Sequence, residues 1–394
     1  MKQIIPYGKQ NITEDDIDAV VEALRSDYLT QGPRIKEFEN YFAEYVGAEF
    51  AVAVSNGTAA LHLSALAMDI QPGDKVITTP ITFAASANCI RYCGGEVVFA
   101  DIDPETYLLD LNSVRSLLEN APKGTYKGII PVDFTGRAVD LESFRKLADK
   151  YDLWILEDAC HAPGGYFIDK QNNKQHCGNG NYADLAIFSF HPVKHIAAGE
   201  GGMITTNDKI FYTKLLNLRT HGIVKDDSLY ENSVELAGGK DKYPNWYMEM
   251  QSLGYNYRLT DFQAALGNSQ LKKAGQGLIQ RKEIAERYFE AFKNKSFINS
   301  QSGLIEGHAY HLYVIVVENR LGLYNFLREN NIYSQIHYIP THLMPYYKEF
   351  GWKKGDLPHA EKYYEGCISL PMYPTLKSEE QEFVILKINE FFSK

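Results

Sequence analysis

Seven short apolar runs recur along the chain, at residues 50–54, 75–79, 96–101, 128–132, 153–156, 185–189 and 202–206. Within them polar residues do not alternate with apolar ones, so each predicted strand must be covered on both faces. Helical patterns separate several of them. Residues 15–26 place Ile17, Val20, Val21 and Leu24 at helical spacing, and 59–68 and 141–150 read the same way. Strands alternating with helices in this manner imply an α/β fold with a mainly parallel seven-stranded sheet.

The texture changes near Arg258. Residues 260–273 and 277–293 read as long helices, 311–317 as a strand, 321–330 as a helix, 333–338 as another strand and 378–392 as a closing helix. The expectation is a large domain over 1–258 and a smaller α+β domain over 259–394, which suits a chain of 394 residues. Residues 224–244, rich in Asp, Lys, Ser and Gly, are the expected mobile stretch.

Composition removes several classes of function. An apolar content of 45% excludes a disordered chain. Forty basic against fifty acidic residues, with no basic run, argue against a nucleic-acid binder. They leave room for an anionic small ligand in a locally positive pocket. No apolar run is long enough for a membrane span and no leader-like stretch opens the chain, so a cytoplasmic protein is expected. The five cysteines, Cys89, Cys93, Cys160, Cys177 and Cys367, are odd in number and lack a Cys-x-x-Cys pair. Neither a disulfide framework nor a metal site is expected.

Three segments carry chemistry. Ser55-Asn56-Gly57-Thr58 lies between a strand and a helix; such a turn either cradles a phosphate on free N–H groups or is an ordinary capped turn. Asp158 follows an apolar strand, where its carboxylate can bind a cationic heterocycle, bind a metal, or cap a following helix. Lys194 ends Ser189-Phe190-His191-Pro192-Val193-Lys194 and precedes Gly199-Glu200-Gly201-Gly202. A lysine among apolar neighbours loses basicity and can condense with a carbonyl. An anion site, an acid and a lysine, the last two 36 residues apart, together match what pyridoxal phosphate requires.

With Leu29-Thr-Gln-Gly-Pro33, Thr82-Phe83, Arg219-Thr-His-Gly222, Gly254-Tyr-Asn-Tyr-Arg-Leu-Thr260 and Ile336-His-Tyr338, these motifs resemble the DegT/DnrJ/EryC1/StrS sugar aminotransferases over essentially the whole chain. The resemblance implies the aspartate-aminotransferase fold (fold type I) and pyridoxal 5′-phosphate as cofactor, with pyridoxamine phosphate as the intermediate form. Lys194 resembles the lysine that binds the cofactor aldehyde, and Asp158 the acid at its ring nitrogen. Phe83 is expected to stack on the ring, and His161, where many members have Gln, to contact the phenolic oxygen. Gly57, Thr58 and Ser189 are expected at the phosphate, joined by Asn256 from a second subunit, which implies a homodimer with shared sites. Tyr7, the turn of Asp27, Tyr28, Leu29 and Thr30, and the segment of Gln335, Ile336, His337 and Tyr338 match substrate positions. Asp133 stands where many members have His, and no catalytic role is assigned to it.

The chain is most similar to the pseudaminic-type subgroup. That implies L-glutamate as donor and C4 of a UDP-linked 2-acetamido-2,6-dideoxy-4-keto hexose as acceptor. The competing expectations are a dTDP-linked 3-keto-sugar aminotransferase and a non-catalytic cofactor-binding regulator. A dehydratase of this fold has histidine in place of the lysine, and Lys194 is intact.

Overall fold

The computed structural model describes residues 4–301 and 303–393. β1 (Phe50–Val54), β2 (Lys75–Thr78), β3 (Glu96–Phe99), β4 (Tyr126–Ile130) and β5 (Trp154–Asp158) come first. A small hairpin of β6 (Tyr166–Ile168) and β7 (Lys174–His176) precedes β8 (Leu185–Ser189) and β9 (Gly202–Thr206). Apart from the hairpin these strands form one sheet in the order β1-β9-β8-β5-β4-β2-β3. From β3 across to β8 every pairing is parallel, while β9 runs antiparallel to both β8 and β1. All seven expected runs are strands of this sheet.

The continuous apolar runs follow from burial on both faces. On β1, Val52 and Val54 enter one core while Ala51 and Ala53 enter another. On β8, Leu185 and Ile187 divide from Ala186 and Phe188 in the same way. Because β1, β5 and β8 point the same way, their carboxyl ends bring Ser55–Thr58, Asp158 and Ser189 to one edge of the sheet, where ligands of such sheets collect.

A second sheet is antiparallel, in the order β12 (Ile298–Gln301), β13 (Tyr313–Val317), β14 (Cys367–Leu370). Its core gathers Ile284, Tyr288, Phe292, Val384 and Ile388, together with Ile5. The expected strand at 333–338 is not one. Gln335 exchanges two backbone hydrogen bonds with Ser369 of β14 and the ladder stops there, because His337 then turns its ring onto the Ser369 hydroxyl. The strand in that place is β14, four residues between Gly366 and Pro371, too short for its pattern to stand out.

Thr260 starts helix Asp261–Lys272 with a reciprocal cap to Gln263. Ala264 of that helix joins Phe38 and Phe42, and a Cβ on Gly267 would lie 2.6 Å from the Phe38 ring. This helix therefore packs onto the core around Phe38 and Phe42. The stretch expected to be mobile is flanked by a short hairpin, β10 (Ile223–Val224) with β11 (Glu249–Met250), and the Glu249 carboxylate accepts the N–H groups of Glu231 and Asn232.

Candidate active site

A cavity of about 850 Å³ opens at the carboxyl edge of the sheet. Gly57, Thr58, Phe83, Asp158, His161, Ser189 and Lys194 all line it, with Tyr7, His337 and Tyr338. The remaining expected residues are elsewhere in this chain. Asp27, Tyr28, Leu29 and Thr30 form an exposed turn held by pairing of Thr30 with Thr260. Gln335 is exposed beside Ser369, and Ile336 packs against the cores. Asn256 is exposed and pairs with Thr220.

The first turn of helix Gly57–Ala67 is a capped turn with the free N–H groups that an anion cradle requires. Asn56 Oδ1 accepts the Ala59 N–H at 2.8 Å. Gly57 and Thr58 lie in the first turn, where N–H groups have no intrahelical acceptor. Two glycines keep this place open. A Cβ on Gly57 would lie 3.0 Å from Ser189 Cβ, and one on Gly202 would lie 2.5 Å from the Asn56 carbonyl.

Asp158, 4% exposed, is not a helix cap, because β5 is followed by turns and the β6–β7 hairpin. Its Oδ2 accepts the Ser86 hydroxyl at 2.6 Å and its Oδ1 accepts the Cys160 N–H at 3.2 Å. Thr82 Oγ1 lies 2.7 Å from Ser86 Oγ, so two hydroxyls in series fix the carboxylate. Burial pushes the Lys194 ammonium below its ordinary pKa; Cys160 and Asp158 pull it back up, and Arg281 pushes it further down. The neutral amine that acts as nucleophile or base is thereby favoured.

His161 lies 3.2 Å through Nε2 from the Tyr338 hydroxyl, and its ring is 4.4 Å from that of His311. Burial, reinforced by the nearby Lys194, holds both imidazoles far below the ordinary histidine pKa. Tyr7 packs its ring 5.5 Å from His337.

Ser86, Cys160, His62, Tyr257 and His311 also line the cavity and were not expected from sequence. The only local trace of Ser86 is a second hydroxyl, Thr82, four residues earlier and just ahead of the short helix Ala85–Tyr92. Arg219 and Gly222 prove to hold the wall rather than line it. Arg219 donates to Glu39 and to the Ala53 carbonyl, and a Cβ on Gly222 would overlap the Ser252 carbonyl at 1.9 Å. Among the described residues one trio has metal-ligand atoms within 4.8 Å: Asp133, Glu157 and Cys177, all buried and outside the cavity. Burial raises both carboxyl groups above their ordinary values, which favours their protonated forms.

The family model described as DegT/DnrJ/EryC1/StrS aminotransferase matches residues 10–389. The chain is 38% identical to the spore coat polysaccharide biosynthesis protein SpsC of Bacillus subtilis, over 98% of this chain and 96% of that one. It is 35% identical to a UDP-4-amino-4,6-dideoxy-N-acetyl-beta-L-altrosamine transaminase of Campylobacter jejuni, over 97% and 96%. Among solved structures it resembles Helicobacter pylori PseC, an aminotransferase involved in the biosynthesis of pseudoaminic acid. The TM-score is 0.86 at 30% identity, covering 99% of this chain and 100% of that one. The PLP form of the sugar aminotransferase Spr1654 of Streptococcus pneumoniae superposes with a TM-score of 0.86 at 28% identity, covering 99% of each chain.

Proposed function

The chain belongs to the DegT/DnrJ/EryC1/StrS aminotransferase family and is a sugar aminotransferase that uses pyridoxal phosphate, and on that premise we propose its substrates and the roles of its residues. The acceptor is C4 of a UDP-linked 2-acetamido-2,6-dideoxy-4-keto hexose, the donor is L-glutamate, and the product enters a pseudaminic acid-type pathway. The observation that carries the reading is the convergence of Lys194, Asp158 and the Gly57–Ser189 cradle on one open cavity. The printed activity of the Campylobacter jejuni relative supplies the substrate class.

The residues present suit the cofactor. The cradle that a Cβ would fill suits a phosphate, and the buried Asp158 carboxylate accepts only neutral donors, leaving its charge available to a cation. When bound, pyridoxal phosphate supplies an aldehyde that exchanges amines and a ring that accepts electrons. Gly57, Thr58 and Ser189 hold its phosphate, and Phe83, 64% exposed, covers a face of the ring. Asp158 keeps a proton on the ring nitrogen, and His161 meets the phenolic oxygen. Lys194 Nζ takes a proton from the α-carbon of glutamate and later delivers one to C4 of the sugar. Tyr7, His337 and Tyr338 line the sugar end. A cytoplasmic location belongs to the same reading; among the described residues no helix is long and apolar enough to cross a membrane.

The working unit is a homodimer in which Asn256 serves the partner's cofactor phosphate and the Asp27–Thr30 and Gln335–Ile336 positions complete substrate sites. Its support in this chain is that Asn256 is exposed and outside its own cavity. Lys194→Ala and Asn256→Asp should each be inactive alone and should partly recover activity when co-refolded, since one site of the mixed dimer has both intact residues. No recovery in confirmed heterodimers would put both residues in one subunit's site.

The substrate is tested by competition. With glutamate present, the UDP-linked 4-keto sugar and a dTDP-linked 3-keto sugar are supplied at equal concentration, and the aminated products are weighed by mass spectrometry. Preference for the 4-keto sugar by about tenfold or more is expected, the scale of a few altered contacts. Preferential amination of the 3-keto sugar would refute the substrate while leaving an aminotransferase.

A further inference from the structure

Arg281 is 1% exposed, and its side-chain hydrogen bonds all go to main-chain carbonyls. The two hydrogens of Nη1 are shared among the carbonyls of Tyr310, His311 and Met372, at 3.1, 3.2 and 3.1 Å. Each acceptor belongs to a segment that shapes the cavity. His311 lines it directly. Met372 donates its N–H to the carbonyl of Tyr7, a second lining residue, at 2.9 Å. One residue before Tyr310, the Ala309 carbonyl lies 2.8 Å from Nε2 of His195, the neighbour of Lys194. Among the described residues no carboxylate pairs with this guanidinium, so its burial is costly.

We infer that Arg281 is a positioning residue for Lys194: through three carbonyls it fastens two segments beside the cavity, Tyr310–His311 and Met372, and it holds a positive charge in the core next to them. The charge acts on the lysine together with the groups that face it. Asp158 and Cys160 favour the ammonium, while burial and Arg281 favour the amine. His161, His195, His311 and His337 surround the same space, and burial keeps them neutral. Removing the guanidinium therefore raises the proton affinity of Lys194, because a like charge has gone.

The inference deepens the proposed role of Lys194, so its test is made on the ligand-free protein. Competitive labelling of amines with dinitrofluorobenzene across pH, followed at the Lys194 peptide by mass spectrometry, gives the midpoint of that lysine alone. Arg281→Met should raise the midpoint above the wild-type value. Arg281→Lys keeps a charge while losing the clamp, and should leave the midpoint closer to the wild-type value than Arg281→Met does. Hydrogen exchange then reads the clamp. The amides of Ala309 and Leu312, which bond to Gly136 and Thr135, should lose protection in both variants. An unmoved midpoint in folded Arg281→Met, an equal shift in both variants, or unchanged protection in both would each overturn the inference. None of these outcomes depends on whether the chain is an aminotransferase.

Discussion

Lys194→Ala is expected to abolish turnover, a loss on the order of 10⁴-fold or more, while the protein still takes up pyridoxal phosphate without a covalent link. The two effects separate because different parts of the cavity carry them. The proposed phosphate cradle, Gly57, Thr58 and Ser189, stands on the β1 turn and the end of β8, and neither depends on the lysine side chain. Proton movement at the donor's α-carbon and at the sugar's C4 has no second base of suitable basicity, since burial keeps the flanking imidazoles far below the range in which they hold a proton. Stability should be unchanged or slightly raised, because burial disfavours the ammonium that is removed. Thermal unfolding, cofactor absorbance and turnover on one preparation check all three.

Asp158→Asn is expected to keep the fold and lose turnover by on the order of 10²–10³-fold, the scale found when one preorganised electrostatic group is removed from a site. The amide is nearly isosteric, and the Ser86 hydroxyl can turn to accept from it where it now donates to the carboxylate. What is lost is the negative charge proposed to face the ring nitrogen. A charge-assisted hydrogen bond of that kind contributes roughly 1.5–3 kcal/mol, so cofactor affinity should fall about 10- to 100-fold beside the rate. Titration of the ligand-free variant with pyridoxal phosphate gives the first quantity and steady-state kinetics the second. Near-normal turnover would leave Asp158 as a structural acceptor for Ser86 and Cys160.

The large sheet was legible because strands buried on both faces must be apolar at every position, and that pattern needs no partner to be recognised. Asp158 and Lys194 were legible for a related reason, since a charged residue at the end of such a run is out of place. Ser86 was not, because its partner Asp158 is 72 residues further on and its own helix is eight residues long. Arg281 looked like one more basic residue on an amphipathic helix; only the fold brings the Tyr310, His311 and Met372 carbonyls around it. The strand expected at 333–338 ends after Gln335, where His337 turns its ring onto the Ser369 hydroxyl and both His337 and Tyr338 line the cavity. Asn256 and the Asp27–Thr30 turn rest on resemblance alone. Their function, on the dimer reading, lies across a subunit boundary that no pattern within one chain records.

The central claim is that Lys194 is the residue that binds and works on the cofactor. Reduction of the wild-type protein loaded with pyridoxal phosphate by borohydride, followed by proteolysis and mass spectrometry, tests it most directly. The account predicts a single pyridoxyl group on the peptide that contains Lys194. A pyridoxyl group on any other lysine, with the Lys194 peptide unmodified, would contradict it.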